Sequence, residues 1–313
     1  MKKEQPILSL CIPTYKRAEI LSENLSIISE QLREVDLNEL ELIVSNNCSP
    51  DNTDEVVHSF IKLGMPITYN CNTENLGADG NFLKCMHISK GKYVWLLADD
   101  DYLEEGALSY ILSCLRNKEY GLLYVECHRN INYEFKEYDD INKFFQQIGN
   151  EITFSSGCIF RRDIVETINH DMYLGSSFLQ MPYFIASASS QSINAIVGRP
   201  IIKVGINASA PYDFYQVFVE NYLLIINECF NKNPEINHKT KRYAKRAMAG
   251  FLFDHIYFDL IKPNNYTHID KKKSRKLVWK YFGKEPYLYW GIFSSFLKNI
   301  RRFVKNQIKK IRK

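Results

Sequence analysis

Over its first 130 residues the chain alternates short apolar runs with segments of helical spacing, and few folds satisfy that alternation. Ile7–Ile12, Leu40–Val44, Ile67–Cys71, Tyr93–Leu97 and Gly121–Val125 read as strands. Between them, apolar residues three and four apart predict helices over Ala18–Leu32, Thr53–Leu63, 79–89 and Glu104–Leu115. Strands alternating with helices imply an α/β fold, its mostly parallel sheet wound in right-handed βαβ units and flanked by helices. The last third reads differently, with dense apolar positions predicting helices over 212–230 and 241–261.

Ligands bind a sheet of this kind at the carboxyl ends of its strands. There the unusual residues fall: "PTYKR" (13–17), "SNNCSPDNT" (45–53), "NTENLGADGN" (72–81) and "ADDD" (98–101). The last loop ends a buried run, "YVWLL", in three adjacent aspartates. Neighbouring carboxylates repel and are costly to bury unpaired, so something must neutralise them. One answer is local: Asp101 caps the next helix, with Glu104 completing a capping box. The other is a hard divalent cation, held by Asp99, Asp100 and Asp101 with a ligand's phosphates. The two are compatible if Asp101 caps while Asp99 and Asp100 face the metal.

Charge is unevenly spread. Residues 271–313 hold fifteen Lys/Arg against Glu285 alone, which leaves 25 basic and 35 acidic residues in 1–270. An acidic body with a basic tail is not the profile of a nucleic-acid binder; it suggests that one end meets an anionic surface. Eight scattered cysteines form no Cys-x-x-Cys or Cys/His metal spacing and read as reduced thiols of a cytosolic protein. No signal peptide is read at the start, and no run approaches ~18 apolar residues.

"SLCIPTYKRAEIL", "ELIVSNNCSPDNT", "NTENLGADGNFLKCMHISKGKYVWLLADDD" and "RRDIV" together resemble the nucleotide-sugar-binding half of family-2 glycosyltransferases, over residues 6 to about 165. The resemblance is to the group with a DDD version of the DxD motif, which includes abequosyltransferase-like enzymes of bacterial surface-polysaccharide synthesis. It implies a GT-A fold, a nucleoside-diphosphate-sugar donor, a divalent cation (Mg2+ or Mn2+) and a glycan or lipid-linked glycan acceptor. It also implies nucleotide contacts from Pro13, Thr14, Tyr15, Asn46, Asn75, Asn81 and Asp99. Asn46 stands where the family usually carries an aspartate, so the base it reads is left open. An inverting transferase needs a base for the acceptor hydroxyl. The family supplies it from an acid pair 75–85 residues past the DxD, yet "LGSSFLQMPYF" (174–184) contains no acid. Asp171 is the expected base, and Asp101 is the second carboxylate assigned to catalysis. His170, Asp213, Glu126 and His128 are further candidates, and each of these acids and histidines reads more readily as a solvated surface residue than as a base.

The expected layout is a nucleotide-sugar-binding and catalytic domain over 1–210, a helical region over 211–286 and a basic amphipathic helix over 287–313. In that helix Phe293, Phe296, Leu297, Ile300, Phe303, Val304, Ile308 and Ile311 recur at helical spacing opposite Lys and Arg. Such a helix suits the anionic cytoplasmic face of an inner membrane, where a lipid-linked acceptor sits; the alternative is a packing helix with a solvated basic face. Two other function classes stay open: a nucleotide-binding protein without transferase activity, and a nucleotidyltransferase. "PTYKRAEIL" lacks the glycines expected of a triphosphate loop, which weighs against the latter.

Overall fold

The computed structural model of the protein describes residues 5–205, 212–261 and 269–311. Two compact units result, one comprising Met1–Ser209 with Cys229–Ile236, the other Ala210–Glu228 with Asn237–Lys313.

The first unit begins as the alternation requires: β1 (Leu8–Thr14), α1 (Ala18–Gln31), β2 (Leu40–Asn46), α2 (Thr53–Lys62), β3 (Ile67–Cys71), α3 (Gly77–Ile88) and β4 (Tyr93–Leu96). It continues through β5 (Tyr102–Leu103), α4 (Ala107–Asn117), β6 (Leu122–Val125), β7 (Phe135–Tyr138), α5 (Ile141–Ile148), β8 (Cys158–Arg161), α6 (Gln180–Ser189), β9 (Asn194–Val197) and β10 (Ile202–Lys203). Eight strands form one sheet in the order β3-β2-β1-β4-β8-β6-β9-β7, and β5 pairs separately with β10. β1 to β4 are mutually parallel, whereas β8 runs antiparallel to both β4 and β6. The chain leaves β1 for β2 and β3 on one side, then returns to lay β4 on the other. The carboxyl ends of β1 and β4 therefore flank a topological switch point, where such sheets open a crevice.

Burial on both faces fixes β1. Leu8, Leu10 and Ile12 point into a cluster with Leu21, Leu25 and Ile28 of α1 and Leu108, Ile111 and Leu112 of α4. On the other face Cys11 lies beneath α3, its thiol 3.9 Å from the Cys85 carbonyl, and burial pushes that thiol well up, so it stays protonated and inert. All eight cysteines are free. Trp95 of β4 is fully buried, and its indole Nε1–H donates to the Ser156 carbonyl at 2.7 Å.

One helix start departs from the sequence expectation. α4 begins at Ala107, and its cap is Gly106 at φ +72°, a conformation that glycine adopts without a Cβ clash. Asp101 caps nothing: the chain first makes the short strand β5, which moves the helix start to Ala107, six residues downstream of it.

The second unit is helical in its described part, with most of α7 (Tyr222–Lys232), then α8 (His238–His255), α9 (Lys271–Phe282) and α10 (Pro286–Ile311). α10 packs on α8 through small residues. A Cβ on Gly291 would fall 2.2 Å from the Phe253 ring, and Ser295 donates to Asp254. Leu288 is fully buried on that stripe. The aromatic stripe is a different one: Tyr289, Trp290, Phe293, Phe296, Leu297 and Ile300 are exposed, Trp290 to 72%. The basic amphipathic segment thus docks by a face that its apolar spacing does not reveal.

Replacing Trp95 by Phe removes the donor to a buried carbonyl and trims the core. Stability is expected to fall by about 1–3 kcal/mol, read as a lower urea midpoint with an unchanged slope. An unchanged midpoint would mean that this bond contributes nothing.

Candidate functional site

The cation demanded by the three aspartates is Arg17. From the loop after β1, its Nη1 lies 2.7 Å from Asp99 Oδ1 and 3.1 Å from Asp100 Oδ2. Thr14, the last residue of β1, donates its hydroxyl to Asp99 Oδ2 at 2.7 Å. Asn24 of α1 supports the backbone beneath, its Nδ2 donating to the carbonyls of Asp99 (3.0 Å) and Asp101 (2.9 Å). Asp101 turns the other way. It accepts the Gly205 N–H at 3.0 Å and the Ser156 hydroxyl, while Ser156 Oγ also receives the Ala98 N–H at 2.9 Å.

Asp99 and Asp101 are each 4% exposed. Burial pushes both carboxyls up; Arg17 and Thr14 oppose that rise at Asp99, and Ser156 and Gly205 oppose it at Asp101. Burial pulls the Arg17 guanidinium down, but Asp99 and Asp100 outweigh it and hold the charge firmly. The carboxylates facing a positive charge are therefore Asp99 and Asp100. A guanidinium bridging them marks where a hard cation with oxygen ligands fits.

The asparagines expected to contact the nucleotide bond to the loops around them. Asn81 Oδ1 accepts from Ser45 Oγ (2.7 Å) and Asn72 Nδ2 (3.0 Å), and its own amide donates to the Ser45 carbonyl at 2.9 Å. Asn75 Oδ1 accepts from Asn47 Nδ2 and Gly77 N–H, and Asn46 binds Tyr69 OH and Ser49 N–H. These bonds tie the ends of β2 and β3 to the start of α3. Pro13 is buried in β1, while Tyr15, half-buried just past it, lies under the Lys16 ammonium at 5.1 Å. Lys16 (φ +55°) and Cys48 (φ +58°) hold left-handed backbone in two of the loops on this edge, costing roughly 1–2 kcal/mol each. Such strain clusters at functional sites.

Asp171 is not among the residues that the fold brings to this edge. Its side chain is 80% exposed, and the neighbouring His170 ring meets His87, near the end of α3, at 5.8 Å. At α3's start, the buried Asp79 carboxylate accepts the Ser177 N–H at 3.0 Å. The stretch from 170 to 177 therefore runs back along the helix, which leaves Asp171 about 12 Å or more from the crevice end at 1.5 Å per residue. Asp213 belongs to the second unit and pairs with Lys273 at 2.7 Å. Glu126 and His128 do stand on the carboxyl edge, just past β6, with Glu151 beside them. One ligand atom from each of the three lies within 4.8 Å of the others. A cavity of about 360 Å3 lined by Ile168, Met172, Pro182, Ile185 and Lys232 shares no residue with the acid cluster.

Sequence reading passed over Arg17 and Asn24. The signal for Arg17 was present, a cation at the end of the strand that must neighbour the aspartates.

Residues 9–176 match the family model of glycosyl transferase family 2, more than half of the chain. The chain belongs to glycosyl transferase family 2. It is similar to abequosyltransferase RfbV of Salmonella typhimurium, at 30% identity over 55% of this chain and 58% of that protein. It is likewise similar to the GalNAc(5)-diNAcBac-PP-undecaprenol beta-1,3-glucosyltransferase of Campylobacter jejuni, at 33% identity over 42% of each. The chain spans about half the length of these curated relatives. Among solved structures, S. aureus TarS 1–349 in complex with UDP-GlcNAc superposes with a TM-score of 0.60 at 15% identity, covering 92% of this chain and 79% of that one. Mannosyltransferase PcManGT from Pyrobaculum calidifontis, in complex with GDP-Man and Mn2+, does so at 0.54 and 13% identity, covering 95% and 88%. These likenesses establish the fold, which is of GT-A type. In this family-2 chain the matched segment holds Thr14, Arg17, Asn24 and all three aspartates.

Because Asp99 and Asp101 bind protons more tightly folded than unfolded, they contribute stability below the ordinary carboxylate range that is lost as pH rises through their raised values. In EDTA, Asp99→Asn is expected to flatten that loss and to raise the melting temperature near neutrality. A lower melting temperature with an unchanged pH slope would show that the Arg17 pairing outweighs the burial of the carboxylate.

Proposed function

We propose that this chain transfers a sugar from a nucleoside-diphosphate sugar to a glycan or lipid-linked glycan acceptor, by metal-assisted inverting displacement. The observation that carries the reading is the pair of buried Asp99 and half-buried Asp100 beneath a single guanidinium at the β1/β4 switch point. Asp99 and Asp100 would hold a divalent cation, Mg2+ or Mn2+, and Asp101 would keep their loop in place through Ser156 and Gly205. The bound cation supplies Lewis acidity to the departing diphosphate. Arg17 adds a guanidinium matched to phosphate oxygens, and Thr14 fixes the orientation of the Asp99 carboxylate. Tyr15 offers a ring against which the base or ribose can rest. Pro13, Asn46, Asn75 and Asn81 shape the nucleotide side of the pocket, largely by holding the loops.

We assign residues 1–210 to the nucleotide-sugar-binding and catalytic domain, 211–286 to a helical region and 287–313 to a membrane-surface anchor. Among the described residues no helix is long and apolar enough to cross a membrane. Support for the anchor comes from α10, whose aromatic stripe stays exposed although the helix is docked, with Lys298 and Arg301 exposed beside it. Aromatic and basic side chains together suit an anionic interface. The undecaprenol-linked substrate in the name of the Campylobacter relative agrees with an acceptor held there, on the cytoplasmic face of the inner membrane.

Titrating UDP, CDP and GDP by calorimetry, with and without Mn2+, tests the donor site. Wild type is expected to bind at least one of them metal-dependently, and Asp99→Asn/Asp100→Asn is expected to bind it at least tenfold more weakly while melting no lower than wild type. Unchanged metal-dependent binding in the double variant would sink the assignment.

Vesicle flotation tests the address. Binding to anionic vesicles should weaken as salt rises, since each basic residue contributes ~1 kcal/mol within a Debye length. Trp290→Ser/Phe293→Ser should release the protein. Indifference of the wild type to anionic vesicles at low salt would remove the membrane reading.

A further inference from the structure

The expected family acid is missing from 174–184, but the edge that holds the aspartates carries another proton acceptor. His128 lies just past the end of β6, and its Nδ1 is 2.7 Å from Glu151 Oε2. The ring meets Phe154 edge-on at 4.7 Å, so both its position and its tilt are fixed. With Nδ1–H committed to the carboxylate, the lone pair resides on Nε2, for which the described residues offer no hydrogen-bond partner. The imidazole is 38% exposed, open to a substrate hydroxyl.

A cation site among Glu126, His128 and Glu151 is the competing use of these groups. Glu126 argues against it, because its carboxylate is fully buried and already engaged. Oε1 accepts the N–H groups of His128 (3.1 Å) and Arg129 (3.0 Å), and Oε2 pairs with the Arg129 guanidinium, whose Nε lies at 2.7 Å. Glu126 and Arg129 hold the turn, and His128 is what the turn presents.

Topology sets the distance to the diphosphate site. β8 alone separates β4 from β6, and strands spaced about 4.8 Å apart put their ends about 10 Å from one another. Ser156 and Gly157 bridge that interval, one bonded to Asp101 and the other packed against Tyr124 of β6. A hexose ring extending from a diphosphate at Asp99 and Asp100 would cross it, leaving β6 on the face opposite the leaving group. An inverting displacement needs its base on that face.

Building on the transferase reading, we propose that His128, oriented by Glu151, is the general base for the acceptor. The hydroxyl proton passes to Nε2 as the oxygen's electron pair forms the new bond to the anomeric carbon. The bond from that carbon to the diphosphate oxygen breaks, and its electron pair leaves with the diphosphate. Glu151 stabilises the imidazolium, which returns its proton to solvent.

The groups acting on His128 are Glu151, whose hydrogen bond raises its proton affinity, burial, which lowers it, and then Glu126 and Asp101, which raise it. Arg129 stands on the same turn. Only neutral His128 accepts a proton, so activity should rise with pH through a value above that of ordinary histidine. Glu151→Gln should therefore move the acid limb of the rate profile to lower pH, a shift that a structural role would not produce.

The test follows nucleotide release from UDP-, CDP- and GDP-sugars, with water as acceptor and Mn2+ present, alongside calorimetric binding of the same nucleotide. His128→Asn is expected to lower turnover about 100-fold or more while nucleotide affinity stays within about twofold and the melting temperature is unchanged. Turnover within threefold of wild type, or an acid limb unmoved in Glu151→Gln, overturns the assignment of the base and leaves the transferase reading standing. Loss of metal-dependent nucleotide binding in His128→Asn would instead make the cluster a cation site. A wild type that binds nucleotide yet releases none from any donor removes both readings.

Discussion

Burying carboxylates at the end of a parallel strand is possible only if positive charge arrives with them, and here one guanidinium supplies it. Arg17 reaches Asp99 and Asp100 from the neighbouring strand's loop, 82 residues away in sequence. Removing an ionised carboxylate from water costs several kcal/mol unless it is paired and hydrogen-bonded. The surroundings are accordingly arranged around that cost. Thr14 takes one oxygen of Asp99, Asn24 ties down the backbone, and Ser156 joins the aspartate loop to β4 and to Trp95. The switch point between β1 and β4 opens the crevice, and the acid pair places negative charge at its floor, where Arg17 meets it.

The remainder of the edge is stiff rather than adaptable. Ser45, Asn47, Asn72, Asn75 and Asn81 satisfy one another, so the loops past β2 and β3 are set before any ligand arrives. Preorganisation of this sort lowers the ordering cost of binding. It coexists with left-handed backbone at Lys16 and Cys48 and with carboxyls raised by burial, both of which cost stability. Stability is being traded for a site.

Much of this was legible in the sequence. The strand–helix alternation over 1–130 and the four polar loops on one sheet edge followed from periodicity, because each is a local property. What escaped is what depends on the path of the chain in three dimensions. Arg17 reads as one of two basic residues in a turn until β4 is laid beside β1. Asp101 looks like a helix cap until Gly106 takes that place and β5 intervenes. Asp171 has a sensible sequence position, but the chain after it runs along α3 toward Asp79, so a suitable spacing from the aspartates in sequence does not bring it beside them in space. α10 shows the same limit: its aromatic periodicity is real, yet Gly291 and Ser295 decide which face packs.

The central claim is that Asp99 and Asp100 exchange a guanidinium for a divalent cation when a nucleoside diphosphate binds. Anomalous diffraction from crystals grown with Mn2+ and the nucleotide that binds best would test it most directly. The account predicts a manganese peak within coordination distance of Asp99 and Asp100, with the Arg17 guanidinium moved onto the diphosphate. A peak confined to Glu126, His128 and Glu151, or bound nucleotide with Arg17 still bridging both aspartates, would contradict it.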